Sequence, residues 1–442
     1  MASDLREFWD RRVETMSRDE LSALQLKRLR EQMRRCQAAS QFYRDKLREA
    51  SATPDDIRSL DDFALLPPVT KDELRKDQEL HAPFGSFTVA DEATWREVHP
   101  STGTTGQPVK TIWSDRDIDT ITDFTARTMW QFGVRPGDVV QNAFSYGLWV
   151  AGMSTHYAAR KIGCLVVPTG TALSSEKQIE FLRSARSTTL LSTPSYALHL
   201  SEQLRKASID PNELSLTRGC FGGEAGTENH ATRKKIEEGL GIEAFDYYGL
   251  AEIAPTFASE CKYKAGLHFA EDHVLIECVD PETGRPVSDG TIGVLVFTHL
   301  TREATPMLRY WSNDCARLSR KPCECGRTHV RAIGGVPGRQ DDLVMFKGAK
   351  FYPSQVEKVV RSFPELSDEF RIEVERHDVG PLVARCTVVT ESAEPSRLLE
   401  SRILQALRAE LGVTTALRIE RFGTLERTAF KAKRIAVVGG TG

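Results

Sequence analysis

At 442 residues the chain is longer than one hydrophobic core usually serves, so its length favours one large and one small domain. Its 40% hydrophobic and 27% charged residues are ordinary for a globular protein, and its formal charge of -3 gives no reason to expect nucleic acid or an anionic membrane as partner. Nine scattered cysteines, an odd number, argue against a disulfide framework. The N-terminus lacks the apolar core of a signal peptide, and no apolar run approaches the length of a membrane span, so we expect a cytoplasmic protein.

The first part of the chain is expected to be helical. Apolar residues recur at helical spacing among charges over about residues 5–50, which predicts an amphipathic lead-in that packs on a domain surface. Thr70 precedes Lys71-Asp72-Glu73, so it is an expected N-cap with acidic residues in the first turn of a further helix.

From about Trp95 onward, short β-like runs alternate with helical segments. The expected strands include residues 95–99, 139–144, 164–167, 189–192, 242–245 and 293–298, and the expected helices include residues 115–132, 175–184 and 228–239. This alternation is typical of an α/β fold with a mostly parallel sheet, in which ligands bind at the ends of strands.

The densest glycine and proline punctuation lies at Gly334-Gly335-Val336-Pro337-Gly338-Arg339, which predicts a domain boundary there. We therefore expect an N-terminal domain over residues 1–338 and a small C-terminal domain over residues 339–442. The second is expected to be an α+β unit with helices near residues 355–363 and 395–411 and strands near 370–374 and 382–389.

The first motif with chemical potential is Ser101-Thr102-Gly103-Thr104-Thr105-Gly106-Gln107-Pro108. Glycines let a backbone turn approach phosphate oxygens closely, while the hydroxyls and amides supply donors. The run lacks the Gly-Lys-Ser/Thr ending of a Walker loop. On its own it is either a phosphate-binding turn after a strand or a flexible surface loop.

Two further motifs follow. In Asp246-Tyr247-Tyr248-Gly249-Leu250-Ala251-Glu252, aromatic rings at a strand end could stack on a purine and the carboxylate could hold Mg²⁺, or the tyrosines could be core residues beside a solvated glutamate. In Gly338-Arg339-Gln340-Asp341-Asp342, the arginine could contact a ribose at a point of domain rotation, although a plain linker explains the run equally well.

The order and spacing of these motifs resemble the adenylate-forming (acyl-CoA synthetase) superfamily, and within it the phenylacetate–CoA ligase family. The resemblance runs nearly end to end. It includes Phe8-Trp9, Phe42-Tyr43-Arg44, Lys71-Asp72-Glu73-Leu74-Arg75, Pro83-Phe84-Gly85, Tyr146-Gly147-Leu148, Thr193-Pro194-Ser195-Tyr196, Arg309-Tyr310 with Asp314, and Pro353-Ser354-Gln355-Val356-Glu357. It implies a large N-terminal α/β domain of adenylate-forming type and a small mobile α+β C-terminal domain.

The resemblance implies a role for each matched residue. The ATP and AMP site is expected to use Ser101, Thr102, Gly103, Thr104, Thr105, Gly106, Gly223, Glu224, Tyr247, Tyr248, Gly249, Asp314 and Arg339. Glu252 is expected to hold Mg²⁺, and Asp341 to lie at the hinge between the domains. The adenylation lysine is expected at Lys431, with Lys433 as the alternative, because the usual Arg-Ser-Glu-Gly lead reads Arg427-Thr428-Ala429-Phe430 here.

The reaction implied is activation of a small aromatic carboxylic acid with ATP and Mg²⁺, followed by transfer to the thiol of coenzyme A. A carrier-protein pantetheine or an amine remains open as the acceptor of the acyl group. The alternative from another functional class is a protein that binds acyl nucleotides without catalysis. A homodimer is implied by the resemblance alone.

The acyl pocket is expected to include Phe144, Tyr146, Trp149 and Ala254, since aromatic walls favour a flat aryl acid. The run Gly222-Gly223-Glu224-Ala225-Gly226 departs from the family's commoner Gly-Ala-Glu-Pro-Trp, and a smaller side chain there could reshape the pocket. Phenylacetate, benzoate-like acids and amino- or hydroxy-aryl acids all remain open.

A metal site is a separate expectation. Cys261, His268, Cys323 and Cys325 offer the sulfur and nitrogen ligands that zinc binds tetrahedrally, and four protein ligands would make the zinc structural. The Cys-x-Cys spacing is tighter than the usual gap, so free buried thiols are the alternative. His273 is an alternative ligand to His268.

Overall fold

The computed structural model describes residues 7–101, 107–148, 150–376, 382–426 and 434–438. Its helices are α1 (Arg11–Glu14), α2 (Arg18–Ala39), α3 (Gln41–Glu49), α4 (Leu60–Phe63), α5 (Lys71–Leu80), α6 (Asp115–Gln131), α7 (Val150–Ile162), α8 (Ser175–Ser184), α9 (Pro194–Lys206), α10 (His230–Leu240), α11 (Pro353–Ser362) and α12 (Arg397–Leu411). Short 3-10 helices cover Glu92–Thr94, Pro211–Glu213 and Gln340–Asp342. Within the described ranges, no helix has the length and apolar character needed to cross a membrane.

The strands follow the same chain order. They are β1 (Trp95–Pro100), β2 (Lys110–Ser114), β3 (Val139–Asn142), β4 (Leu165–Val167), β5 (Thr189–Ser192), β6 (Arg218–Phe221), β7 (Glu243–Leu250), β8 (Ala254–Ser259), β9 (Leu267–Phe269), β10 (Val274–Val279), β11 (Ile292–His299), β12 (Tyr310–Ser319), β13 (Arg331–Ala332), β14 (Gly338–Arg339), β15 (Val344–Phe346), β16 (Ala349–Phe351), β17 (Leu366–Arg376), β18 (Leu382–Ser392), β19 (Ala416–Arg421) and β20 (Ile435–Val437).

The elements divide into two compact units. Unit 1 comprises the described parts of Met1–Leu191, Leu214–Cys220 and Phe245–Gly335, and unit 2 those of Ser192–Glu213, Phe221–Ala244 and Val336–Gly442.

The helical lead-in of unit 1 agrees with the expectation. α2 and α3 occupy most of it, and each begins at a serine whose side chain accepts a backbone N–H. The predicted N-cap at Thr70 is confirmed, because its hydroxyl accepts the N–H of Glu73 while the Glu73 carboxylate accepts the N–H of Thr70 at 2.7 Å. This capping box fixes the start of α5, and with it the direction in which Lys71 leaves the helix.

Most strands belong to one long sheet with the order β10-β11-β12-β13-β9-β8-β7-β6-β5-β3-β4. The α/β alternation is confirmed, with shifts of a few residues at element ends. The expectation of a mostly parallel sheet holds for β3, β4 and β5, which are parallel. It is wrong for β7 to β9 and β10 to β13, which pair antiparallel, because turns and loops instead of crossover helices join these strands.

The core behind β3 and β7 is aromatic. Trp130 of α6, Phe144 after β3, and Phe245 and Tyr247 of β7 are all buried in one apolar cluster with residues of α7. Because successive side chains of a strand point to opposite faces, Phe245 and Tyr247 share this face of β7 while Asp246 and Tyr248 lie on the other.

Unit 2 contains the predicted α+β region. Its sheet has the order β16-β15-β18-β17-β20, with β19 also pairing with β18. Valine, leucine, isoleucine and phenylalanine side chains from this sheet, α11 and α12 form one buried cluster, including Phe351, Val356, Ile372, Val388 and Ile403. The helices and strands expected from residue 355 onward are therefore confirmed.

Candidate functional site

The second motif forms the end of β7 and the turn that follows. β7 pairs antiparallel with β8, and this hairpin is so close at Gly249 that an added Cβ would lie 1.9 Å from the carbonyl oxygen of Pro255. Glycine is therefore required at this position. The turn places Glu252 next to the end of the strand, where its side chain is buried.

Tyr248 and Asp314 are brought together on one face of the sheet. The Tyr248 hydroxyl donates to Asp314 Oδ2 at 2.6 Å, and Asp314 itself is only 6% exposed on β12. The Tyr248 ring lies against Phe257, with 5.5 Å between ring centroids. A carboxylate held in this way beside a half-buried aromatic ring is suited to bind a nucleoside through its hydroxyls and its base.

Glu252 has a cationic partner from the lead-in. The Nζ of Lys71, in the first turn of α5, lies 2.8 Å from Glu252 Oε1, and the two side chains are 26% and 5% exposed. A buried carboxylate needs a compensating charge, and here the chain supplies it. The arrangement places one positive and one negative group next to each other at the end of β7.

Tyr247 lies on the opposite face of β7 from Tyr248. Its ring meets the ring of Phe144 edge-on, with 5.7 Å between centroids. The two tyrosines that the sequence places together in a nucleotide site therefore do not share one surface. Tyr247 instead lies next to the segment in which the sequence predicts an acyl pocket.

The segment after β3 is held by Asn142. Its side-chain amide donates to the carbonyl of Gly152 and to Thr155 Oγ1, and its oxygen accepts the N–H of Phe144. Tyr146 follows, with its hydroxyl 3.2 Å from His156 Nδ1, and burial raises the pKa of Tyr146 to about 12.

Ala254, also predicted for the acyl pocket, is buried at the start of β8. Trp149 lies outside the described residues.

Ser101 closes the hairpin of β1 and β2 at the base of the predicted phosphate loop. Its N–H donates to the Val109 carbonyl at 2.7 Å, and its hydroxyl accepts the N–H of Val109. Thr102, Gly103, Thr104, Thr105 and Gly106 lie outside the described residues, as do Lys431 and Lys433. Their roles stay predictions.

In unit 2, Glu224 is fixed by the segment after β5. Its Oε1 accepts the backbone N–H of Ser195 at 2.9 Å and also the Ser195 hydroxyl, while burial raises its pKa. Gly223 precedes it with a φ of +86°, a conformation that favours glycine. At Gly226, an added Cβ would lie 2.9 Å from Pro194 Cβ, so the missing side chain opens no space on that side.

Arg339 and Asp341 are joined to each other. Two guanidinium nitrogens of Arg339 donate to the two carboxylate oxygens of Asp341 at 2.8 and 2.9 Å, on the surface of unit 2. The ribose contact and the hinge predicted for this pair stay predictions.

The four predicted metal ligands meet in unit 1, and we call them the thiol cluster. The potential ligand atoms of Cys261, His268, Cys323 and Cys325 all lie within 4.8 Å of one another, and all four residues are buried. The Cys261 and Cys323 sulfurs are 3.9 Å apart, and Cys325 Sγ is 3.6 Å from His268 Nε2. A tetrahedral zinc ion with bonds of about 2.3 Å to sulfur requires sulfur–sulfur separations of about 3.8 Å, so the cluster fits zinc.

His273 is not part of the thiol cluster. Its Nδ1 lies 2.9 Å from Thr301 Oγ1 and its Nε2 lies 3.1 Å from Asp272 Oδ2. The alternative in which His273 replaces His268 as a ligand is therefore wrong.

Sequence reasoning missed two neighbours of the site, Lys71 and His156. Lys71 was visible as part of a helix start and of the family resemblance, but no local pattern relates it to Glu252, which is 181 positions further along the chain. His156 lies on α7, seven positions after the nearest predicted residue in the sequence, Trp149, and its contact with Tyr146 depends on how the helix packs.

Comparison with known proteins gives the family. The AMP-binding enzyme model matches residues 22–311, and the model of the AMP-binding enzyme C-terminal domain matches residues 348–436. A phenylacetate-coenzyme A ligase of Thermus thermophilus is 38% identical over 91% of this chain and 93% of its own length, and that of Escherichia coli K12 is 36% identical over 96% of each. The chain belongs to the phenylacetate–CoA ligase family. The predicted family and the predicted architecture, a large N-terminal domain with a small C-terminal one, are thus confirmed.

A solved structure extends the comparison. A 2-hydroxyisobutyryl-CoA ligase in the postadenylation state, in complex with an acyl-AMP named R3-HIB-AMP, covers 99% of this chain and 94% of its own with a TM-score of 0.93 and 28% identity. This neighbour is named for a hydroxy acid, whereas the curated relatives are named for phenylacetate.

Proposed function

We propose that this protein is an ATP-dependent aryl-acid–CoA ligase. The carboxylate of the acid attacks the α-phosphorus of ATP and pyrophosphate leaves, which gives an aryl-adenylate. The sulfur of coenzyme A then attacks the acyl carbon and AMP leaves. Full-length membership of the phenylacetate–CoA ligase family supports this reaction, and the observation that carries it in the structure is the end of β7, where Tyr248 contacts Asp314 and Glu252 contacts Lys71.

The chemistry explains why such a site is needed. A carboxylate is a poor electrophile because it would have to expel oxide, whereas the adenylate has AMP as its leaving group. Adenylation therefore depends on positioning and on neutralising phosphate charge more than on proton transfer. Lys71 offers a cation for this purpose, and Asp314 offers acceptors for the ribose hydroxyls beside the Tyr248 ring.

Magnesium is proposed as the companion of ATP, with Glu252 as its protein ligand. A buried carboxylate is the oxygen ligand that Mg²⁺ prefers, and Mg²⁺ is commonly held by one or two carboxylates together with substrate phosphates. When bound, it would neutralise charge on the triphosphate. Lys71 pairs with the same carboxylate, so Mg²⁺ held by Glu252 would have to compete with this ammonium.

Structural zinc is proposed for the thiol cluster. Besides the sulfur–sulfur separation that fits a tetrahedral ion, His268 presents its Nε2 to the cluster, 3.6 Å from Cys325 Sγ. Four protein ligands leave no open position, so the ion would hold unit 1 together and take no part in the reaction.

The acid and the acceptor follow from relatives more than from geometry. Phenylacetate is the reference substrate because the curated relatives carry its name, and coenzyme A is the acceptor for the same reason. Loading of a carrier-protein thiol is the second candidate. The homodimer and the cytoplasmic location stay predictions.

Pyrophosphate release from ATP tests the proposal with a panel of acids, each with and without coenzyme A. The panel contains phenylacetate, benzoate, their hydroxy and amino derivatives, and 2-hydroxyisobutyrate as the aliphatic member. We expect release that depends on one aryl acid and turns over steadily only with coenzyme A. Acid-dependent release that coenzyme A does not accelerate would favour a carrier protein, and preference for 2-hydroxyisobutyrate would overturn the aryl assignment.

A further inference from the structure

Tyr247 contacts a residue of the predicted acyl pocket, Phe144. It is 5% exposed on β7, and its ring contacts Phe144 edge-on within the aromatic cluster that also contains Trp130 and Phe245. Strand alternation points it away from Tyr248 and from Asp314. The residue therefore lies on the face of β7 that meets Phe144, although its position in the motif suggests a nucleotide contact.

The hydroxyl of Tyr247 is unpaired among the residues that the structure describes. Within the described ranges, no donor or acceptor lies in hydrogen-bond range of this buried oxygen. Buried polar atoms in folded proteins are normally paired, because burial removes their hydrogen bonds to water. Other tyrosine hydroxyls of unit 1 follow this rule. The Tyr43 hydroxyl contacts Pro306 O, and that of Tyr146 contacts His156 Nδ1. The Tyr157 hydroxyl contacts Glu97 Oε1, and that of Tyr248 contacts Asp314 Oδ2.

Burial also keeps this hydroxyl neutral. It raises the pKa of Tyr247 well above its ordinary value, so the group carries its proton at physiological pH. A neutral phenol can donate one hydrogen bond and accept others. The natural complement is a small polar substituent that does the same, such as a hydroxyl or an amino group.

We propose that Tyr247 Oη recognises a polar substituent on the acyl substrate, so that the preferred acid is a hydroxy- or amino-substituted aryl acid. The inference rests on the proposed ligase function and specifies its substrate class. An unsubstituted ring would leave the tyrosine hydroxyl buried and unpaired in the complex. Sites with such a group discriminate strongly against ligands that cannot pair with it.

The test compares substituents at the same ring position. Wild type and Tyr247→Phe are assayed for coenzyme A thioester formation with phenylacetate and benzoate carrying hydroxyl, amino or methyl groups at the ortho, meta and para positions. We expect wild type to prefer one hydroxy or amino acid over its methyl counterpart by roughly 30-fold or more in kcat/KM. Tyr247→Phe should reduce that ratio by roughly 10- to 100-fold while retaining the ring against Phe144.

Tyr43→Phe is the matched control. This substitution removes a buried hydroxyl that donates to Pro306 O at 2.8 Å, far from the predicted pocket in the chain, and should leave all ratios between acids unchanged. A second readout is the shift in Tm that each acid produces in the presence of AMP, which reports binding without turnover. The polar acid should give the larger shift in wild type but not in Tyr247→Phe.

The outcomes are distinguishable. If Tyr247→Phe leaves the ratios and the Tm shifts as they are in wild type, the hydroxyl only packs or binds water and the inference is overturned. The ligase proposal would survive that result, because it requires only that some aryl acid is ligated. If wild type ligates no acid on the panel, the ligase proposal fails. In that case the Tm shifts test the Tyr247 assignment separately, and equal shifts for polar and methyl acids overturn it.

Discussion

The Lys71–Glu252 pair and the thiol cluster are both buried polar groups of unit 1, but they differ in how their charge is balanced. The Glu252 carboxylate has a lysine ammonium at 2.8 Å, which the chain itself provides. The cysteines of the thiol cluster contact one another and His268, while Arg331 is an electrostatic neighbour of Cys323 and the backbone of Arg327 hydrogen-bonds Cys325.

The difference indicates how each site uses a metal. A carboxylate that already has a cation can lose Mg²⁺ and remain compensated, so Mg²⁺ can come and go with the nucleotide. Three thiolates close together carry more charge than one neighbouring arginine can balance, so they would repel one another in the absence of a metal and bound zinc should stay through every turnover. We therefore expect one exchangeable site and one permanent site, and the predictions below address that contrast in order of expected effect.

The largest effect is expected from Cys325→Ser. Metal binding at a structural site contributes directly to folding, so loss of one thiolate should reduce the free energy of unfolding by on the order of 5 kcal/mol. Urea unfolding and zinc content by elemental analysis would measure this. Cys36→Ser is the matched control, because Cys36 is also buried, in α2, and belongs to no group of potential metal ligands among the described residues. A zinc-free wild type, or two variants of equal stability, would contradict the permanent site.

Glu252→Gln should come second. It keeps the shape of the side chain but removes the charge that would hold Mg²⁺ and pair with Lys71, so we expect adenylation to slow roughly 100- to 1,000-fold. Acid-dependent exchange between pyrophosphate and ATP would measure this half-reaction. Glu277→Gln is the control, since Glu277 is also a buried carboxylate with a cation, Arg309, at 3.0 Å. Equal rates per folded molecule in the two variants would remove Glu252 from the site.

Lys71→Met tests whether the lysine and the metal share one carboxylate. The substitution keeps the apolar stem and removes the ammonium. We expect adenylation to slow roughly 10- to 30-fold, while the Mg²⁺ concentration for half-maximal rate falls, because Glu252 no longer has a competing partner. Lys46→Met is the control, since Lys46 pairs with Glu73 near the same helix start. A higher Mg²⁺ requirement in Lys71→Met would show that the lysine assists the metal and does not compete with it.

These sites differ in how well the sequence predicts them. The thiol cluster and the end of β7 were predictable because each motif combines residue types with few other uses: cysteines with a histidine, and tyrosine-glycine before an acid. The contact of Lys71 with Glu252 was not predictable, because contacts between a helix start and a distant strand depend on packing that no local pattern encodes. The opposite orientation of Tyr247 and Tyr248 follows from strand alternation alone. The sequence predicted a strand over residues 242–245, but β7 continues to Leu250, so that alternation could not be applied to the tyrosines.

The smallest effect is expected from Tyr248→Phe, which tests the nucleotide face of β7. The variant keeps the ring beside Phe257 and loses the hydrogen bond of 2.6 Å to Asp314. A hydrogen bond to a carboxylate contributes about 1.5–3 kcal/mol, but water can replace it at this half-buried position, so we expect KM for ATP to rise roughly 3- to 10-fold. Tyr43→Phe should leave KM for ATP unchanged, and the KM for the acid should change in neither variant. If Tyr248→Phe instead changed the preference among acids, both faces of the strand would serve the acyl group, and the separation of nucleotide and acyl sides by β7 would be wrong.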